Sequence, residues 1–159
     1  MESSIDDKID EFEAKMLASC PMVNCPLKHL FLPGLYIRTI LMEQGTMVTS
    51  MIHNTVHPYF IMRGKVSVFS DNLGEQLIEA PHWGITTPGT RRVLYIHETT
   101  EWTTVHPLAF ITGEENDLSD EDKAKIVEGI EDLILEKHVN PLLGGVLKNN
   151  IISQSIYIK

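Results

Sequence analysis

Basic residues are scarce in this sequence. Thirteen Lys and Arg stand against 22 Asp and Glu, a formal net charge of -9 over 159 residues. Nucleic-acid binders carry a basic footprint, so no nucleic-acid partner is expected. One basic cleft is still compatible with an acidic chain. Cysteine is rarer still, at two residues, Cys20 and Cys25. That is too few for a disulfide framework. With His29 they lack the second pair that would finish a tetrahedral zinc site, so packed free thiols are the simpler reading. No apolar run reaches the roughly 18 residues of a membrane span. Residues 1–8 are acidic and polar, without a basic-plus-apolar signal pattern, so a cytoplasmic protein with no membrane partner is expected. Walker and Rossmann glycine patterns and a Ser-His-Asp arrangement are also missing. Nucleotide-triphosphate chemistry and nucleophilic hydrolysis therefore have no motif support.

What is present is ordinary globular composition, 43% hydrophobic and 22% charged, with room for one structural domain in three zones. Residues 1–33 hold a short amphipathic helix and an extended lead-in. Ile5, Ile9, Phe12 and Met16 recur at helical spacing behind a Ser4/Asp7 capping box, and Pro21, Pro26 and Pro33 make the rest irregular. Residues 34–112 read as many short strands divided by turns at near-regular spacing, which suggests an all-β sandwich or barrel. Residues 113–159 open with a second capping pattern, Ser119 and Asp122, before an apolar stripe of Ile126, Ile130, Leu133 and Ile134 running to about Lys137. Asn140-Pro141 stops that helix, Gly144-Gly145 is a join, and residues 151–158 form a final strand or arm.

The most informative stretch runs from Gly45 to Gly64. It reads Gly45, five residues, Met51, one residue, His53, three residues, His57, six residues, Gly64. This resembles the first cupin motif: Gly, five residues, His-x-His, three or four residues, Glu, six residues, Gly. Met51 stands at the first His position and His57 at the Glu position. The second motif is weaker. Thr87-Pro88-Gly89 approximates its Pro-x-Gly element and places Arg92 at the third His position and Ile96 at the Asn position. Further matches run from Cys25-Pro26-Leu27-Lys28-His29 through Pro33-Gly34-Leu35-Tyr36-Ile37-Arg38 to Glu101-Trp102-Thr103-Thr104-Val105-His106. Over about half the chain these are similar to small cupin-like proteins encoded in tailed-phage genomes. The resemblance implies a mainly β fold: a cupin-type small β-barrel, or double-sheet jelly roll, with an N-terminal helix and a C-terminal helical extension. It also implies host cytoplasm as the setting if the chain is phage-encoded. It does not fix a reaction, because this fold hosts enzymes and simple binders alike.

The resemblance implies that His53 and His57 converge on the barrel interior. Two imidazoles there suit a divalent first-row metal (Fe, Mn, Ni or Zn), provided a third ligand exists. Met51 is a weak ligand and Arg92 is none. His97 and His106 are the remaining candidates, although strand alternation turns His97 outward if Arg92 faces in. Without a metal, His53 and His57 are hydrogen-bonded pocket histidines. Arg92 at a ligand position changes the expected chemistry, since an inward guanidinium presents a planar fork to carboxylate or phosphate. Tyr36 and Arg38 share one strand face and would join that lining. The alternative is that both arginines pair with acidic residues such as Glu43, Glu98 or Glu101. Trp102 and Tyr95 are either core residues or stack a planar ligand.

Three functional readings follow. The first is a phage-type accessory cupin binding a small anionic ligand through Tyr36, Arg38, His53, His57 and Arg92. The second is a metal-dependent cupin enzyme acting on a small anionic substrate. The third is a virion-associated or host-interaction protein that uses the barrel as a scaffold. Apolar terminal segments, Ile151 and Ile156 among them, also suggest a homodimer or higher homo-oligomer with exchanged ends.

Overall fold

The computed structural model of the chain describes residues 2–71, 74–136, 138, 140–143 and 156–159. Of the sequence features above, Lys137, the Gly144-Gly145 join and Ile151 lie outside those residues.

Helix α1 (Ile5–Ser19) begins as its sequence requires. The Ser4 hydroxyl accepts from the Asp7 amide at 3.1 Å, and the Asp7 carboxylate accepts from the Ser4 amide at 2.9 Å. These bonds satisfy two of the groups a helix start leaves open. Ile9 and Met16 of the stripe are buried.

The sheet strands are β1 (Leu27–Leu32), β2 (Leu35–Met42), β3 (Met47–Thr49), β5 (His57–Ser70), β6 (Gly74–Glu79), β7 (His82–Thr86), β8 (Arg92–Pro107) and β10 (Ile156–Ile158). A short separate pair joins β4 (Ile52–His53) to β9 (Leu135–Glu136). Two long strands organise the whole. Strand β8 pairs along one side with β5, and on its other side with β3 and then β2. Strand β5 carries β7 on its first half and β6 on its second. Register shifts between Ile61 and Val66 bend this central pair, as bulges do. The result is a curled, half-barrel sheet of jelly-roll type in a mainly β chain, with one helix before it and one after.

Three local departures from the sequence reading have physical causes. Residues 27–32, read as irregular lead-in, form β1, because the prolines flank the strand and leave six residues free to pair with β2. Arg63-Gly64, a turn-like pair between two strand-like runs of the sequence, is a bend inside one continuous strand. Gly64 has φ +104, and a Cβ there would stand 2.6 Å from the Thr99 carbonyl oxygen, so only glycine allows this close crossing of β5 and β8. Helix α2 (Asp120–Ile134) buries Val127, Ile130 and Ile134, whereas Leu133 of the expected stripe is 52% exposed.

The core has three parts. The barrel interior is built from residues such as Met42, Val48, Ile61, Val66, Leu94, Ile96 and Trp102. Helix α2 closes one end of it over Phe31, Tyr36 and Ile111. Helix α1 packs Met16 against Ile158 of β10, which pairs with β3 of the same chain. A buried polar cluster fixes α1 as well. Arg91 reaches Asp10 at 2.8 Å and Glu13 at 3.2 Å, His138 lies 2.9 Å from Asp10, and Asn140 donates to the Asp10 carbonyl and to Glu13.

Candidate functional site

Strand alternation builds the site. On β2 the even positions face inward, and Arg38, Ile40 and Met42 line a cavity of about 100 Å³. On β8 the same parity brings in Arg92, Leu94, Trp102, Thr104 and His106, and β4 adds His53. Ile134 and Leu135, at the end of α2 and the start of β9, cover the cavity from the helical side.

Arg92 is buried and has an unusual set of partners. Its Nη2 donates to the Thr86 hydroxyl at 3.0 Å. Its guanidinium carbon lies 5.1 Å from the centre of the Tyr59 ring and 5.8 Å from that of Trp102. Those two rings stack at 4.8 Å. Among the described residues no carboxylate lies within ion-pair distance of Arg92. Burial lowers its pKa, with Tyr59 acting in the opposite sense. The π faces therefore supply the attraction that a carboxylate usually gives.

Arg38 is paired, but not with Glu43, Glu98 or Glu101. It meets Glu131 of α2 at 3.2 Å. Burial raises the Glu131 pKa, Arg38 opposes that, and Asp132 and Glu128 add to it.

Three histidines cluster beside these arginines. The rings of His53 and His57 meet edge-on at 5.3 Å, and those of His57 and His106 lie 4.3 Å apart. His57 Nδ1 lies 3.2 Å from the Thr55 carbonyl. The Thr55 hydroxyl lies 3.3 Å from the same nitrogen, so Thr55 partners Nδ1. His106 Nε2 bonds the Thr104 hydroxyl at 2.8 Å. His53 Nδ1, His57 Nε2 and His106 Nδ1 are buried without a hydrogen-bond partner. Burial drives the pKa of all three down, to about 4 for His57 and about 3 for His106, and well below its ordinary value for His53. Arg92 is the next contributor at His53, and it also lowers His57. The cluster is therefore neutral at pH 7.

The other sequence candidates fall into place around this cavity. Tyr36 is fully buried behind it, stacked with Phe31 and His106, and its hydroxyl is 2.6 Å from His29 Nδ1. His57 is likewise behind the wall, 1% exposed. His97 is not brought to the site. It points to the other face of β8, where its Nε2 is 2.7 Å from the Ser67 hydroxyl and its ring meets Tyr95 edge-on. Trp102 lines the cavity, whereas Tyr95 is 41% exposed on the outside. Cys20 is exposed, and Cys25 is buried with its thiol pKa raised to about 11, chiefly by burial.

The donor set does not fit a resident metal ion. The three unpartnered ring nitrogens are the right chemistry, yet no group of three His, Cys, Asp or Glu among the described residues is arranged to hold one. No carboxylate joins them, and the nearest charged groups are the guanidinium ions of Arg92 and Arg38, which repel a cation.

Glu131, Thr86 and Tyr59 are the site residues missed in the sequence. Thr86 and Tyr59 carried a weak signal, since Thr86 adjoins Thr87 and Tyr59 lies two residues from His57, both motif positions. Glu131 carried none, because it lies on a helix outside the motif region.

No protein-family model matches the chain, and no curated protein matches it in sequence. Solved structures do resemble it in shape. One is the ectoine synthase of P. lautus, at 13% identity and a TM-score of 0.47, covering 74% of this chain and 83% of that one. Another is an RmlC-like cupin family protein with a double-stranded β-helix fold from Methanocaldococcus jannaschii, at 9% identity and 0.45, covering 60% and 87%. A third is a single-residue mutant of the salicylate 1,2-dioxygenase of Pseudoaminobacter salicylatoxidans in complex with gentisate, at 10% identity and 0.48, covering 67% of this chain and 33% of the other. Likenesses of this degree say nothing about the chemistry of the cavity.

Proposed function

We propose that the chain is a cupin-type binding protein whose barrel cavity takes a small organic anion, a short monocarboxylate, with its charged end on Arg92. The observation that carries this reading is a buried guanidinium with no carboxylate partner among the described residues, at the wall of a cavity. A buried ion without a counter-charge is costly, and an anionic ligand would offset that cost. The cavity walls set the rest of the ligand. Ile40, Met42, Val48, Leu94, Trp102 and Ile134 are apolar and suit a hydrocarbon body. At about 100 Å³ the space equals roughly three or four waters of about 30 Å³ each, which suits a carboxylate of a few carbons. His53 and His106, held neutral, offer ring nitrogens to a hydroxyl or a second oxygen on the ligand. Glu131 competes with that ligand for Arg38. The accessory role in a tailed phage belongs to the same proposal and rests on the motif residues alone.

The test is thermal unfolding with propionate, butyrate, benzoate and phosphate, beside the uncharged amides of the same acids. A carboxylate at ten times its Kd should stabilise by about 1.4 kcal/mol, or about 3–6 °C for a chain of this size. The amides should not, and Arg92→Met should abolish the shift. No shift with any acid, or an equal shift in Arg92→Met, overturns the reading.

A further inference from the structure

We propose that two copies of this chain join through the free edge of β7, strand against strand about a two-fold axis, with Trp83 of one copy beside Ile85 of the other. The starting point is an apolar outer surface on β5 and β7. Trp83 is 65% exposed, Met62 64% and Ile85 52%, and Phe60 and Pro58 lie between them on the same face. Monomers rarely leave a contiguous apolar patch larger than a few hundred Å². Here three large apolar side chains, each more than half exposed, lie together with Phe60 and Pro58, with no charged residue among them.

The backbone of β7 makes the same point independently. Strand β7 pairs only with β5, so among the described residues its other edge is open. Pro58 lies opposite Ile85 and Phe60 opposite Trp83. Proline has no N–H, so the Pro58–Ile85 pair is the non-hydrogen-bonded kind, and by alternation so is Phe60–Trp83. The N–H and C=O groups of Trp83 and Ile85 therefore point away from β5, to the open edge. Natural edges are blunted with charges, and residues 82–86 carry no Lys, Arg, Asp or Glu. What this edge offers is symmetric about Gly84. An antiparallel copy placed over it would pair Trp83 with Ile85 twice, the self-complementary relation of a two-fold interface.

A second copy is the occupant these features fit. Pairing of the two edges buries the β7 backbones and the facing flanks of Trp83 and Ile85, while Met62, Phe60 and Pro58, one strand further in, stay on the outer face. The patch is also the uncharged part of a chain carrying a net charge of -9, where two copies meet with least repulsion. An interface this small is of the weak, concentration-dependent class. It leaves β10 on β3 of its own chain and the cavity in each copy intact.

Sedimentation equilibrium from about 1 to about 200 µM tests this. The full chain should pass from 18.0 kDa to twice that mass. Trp83→Glu and Ile85→Lys, both at exposed positions, should remain monomeric while keeping the wild-type circular dichroism spectrum. Hydrogen exchange should show the Trp83 and Ile85 amides more protected at the high concentration than at the low. A wild-type chain that stays monomeric throughout overturns the proposal. So does a dimer that persists in both variants, or one whose protection falls on other strands.

Discussion

Three imidazoles held neutral by burial make the fold sensitive to acid in a calculable way. An unfolded histidine titrates near 6.5, whereas folded His57 titrates at about 4 and His106 at about 3. Below pH 6.5 the unfolded chain therefore binds protons that the folded chain refuses. The stability these two groups allow is complete above pH 6.5 and is lost as pH falls toward their folded values. From pH 6.5 to pH 5 each group loses about 1.6 kcal/mol, so the pair costs about 3 kcal/mol. Tm should drop by about 6–12 °C over that interval. His53 acts in the same direction, because burial and then Arg92 lower its pKa too. Urea unfolding at pH 7.5, 6.5, 5.5 and 5.0 measures the loss, and NMR titration of the ring protons assigns it. A Tm that is flat from pH 6.5 to 5, or resonances of these three rings that titrate near 6.5, refutes the account of the cluster.

Two further substitutions test the frame around the site. Arg91→Met leaves Asp10 and Glu13 buried without their cation. That should cost about 3–5 kcal/mol and free α1, measured as a fall in urea midpoint with early proteolysis near residues 5–19. Gly64→Ala forces a Cβ to within 2.7 Å of Thr100 Cα at φ +104. The backbones of β5 and β8 must part there, for a loss of at least about 1–3 kcal/mol by thermal unfolding.

How much of this was legible in the sequence depends on how local the cause was. The Ser4/Asp7 cap and the shared strand face of Tyr36 and Arg38 follow from neighbours a few residues away. Residues 92–107, a stretch where short strands divided by turns are expected, form one continuous strand, β8. The polar run from His97 to Glu101 faces outward or sits at the bulge, where strands need no apolar residue. Asp10 and Glu13 lie outside the apolar stripe of α1. They are buried because Arg91, about 80 residues away, is brought beneath them. For Arg38 the partner, Glu131, comes from a helix whose docking angle no sequence spacing specifies. His106 and His97 illustrate the parity rule: an even and an odd position on one strand, one in the cluster and one outside.

Arg91 and Arg92 put the central question in its simplest form. They are adjacent and both buried, Arg91 immediately before β8 and Arg92 its first residue. Arg91 is compensated as a structural buried arginine should be, by two buried carboxylates and the carbonyls of Ser50 and Asp6. Arg92 has one hydroxyl and two ring faces. A hydrogen bond to a charged group contributes about 1.5–3 kcal/mol and a desolvated cation–π contact about 2. Counting both rings, these come to about 5.5–7 kcal/mol, which roughly balances the several kcal/mol that burying the ion costs and leaves no clear surplus. The imidazoles beside it, kept neutral by the same burial, bring no negative charge. Replacing Arg92 with an apolar residue of similar length would remove the burial cost and lose little packing, so stability alone gives no reason for an arginine here. A site that meets a carboxylate gives one, and on that argument Arg92→Met should be at least as stable as the wild type without ligand and less stable with it.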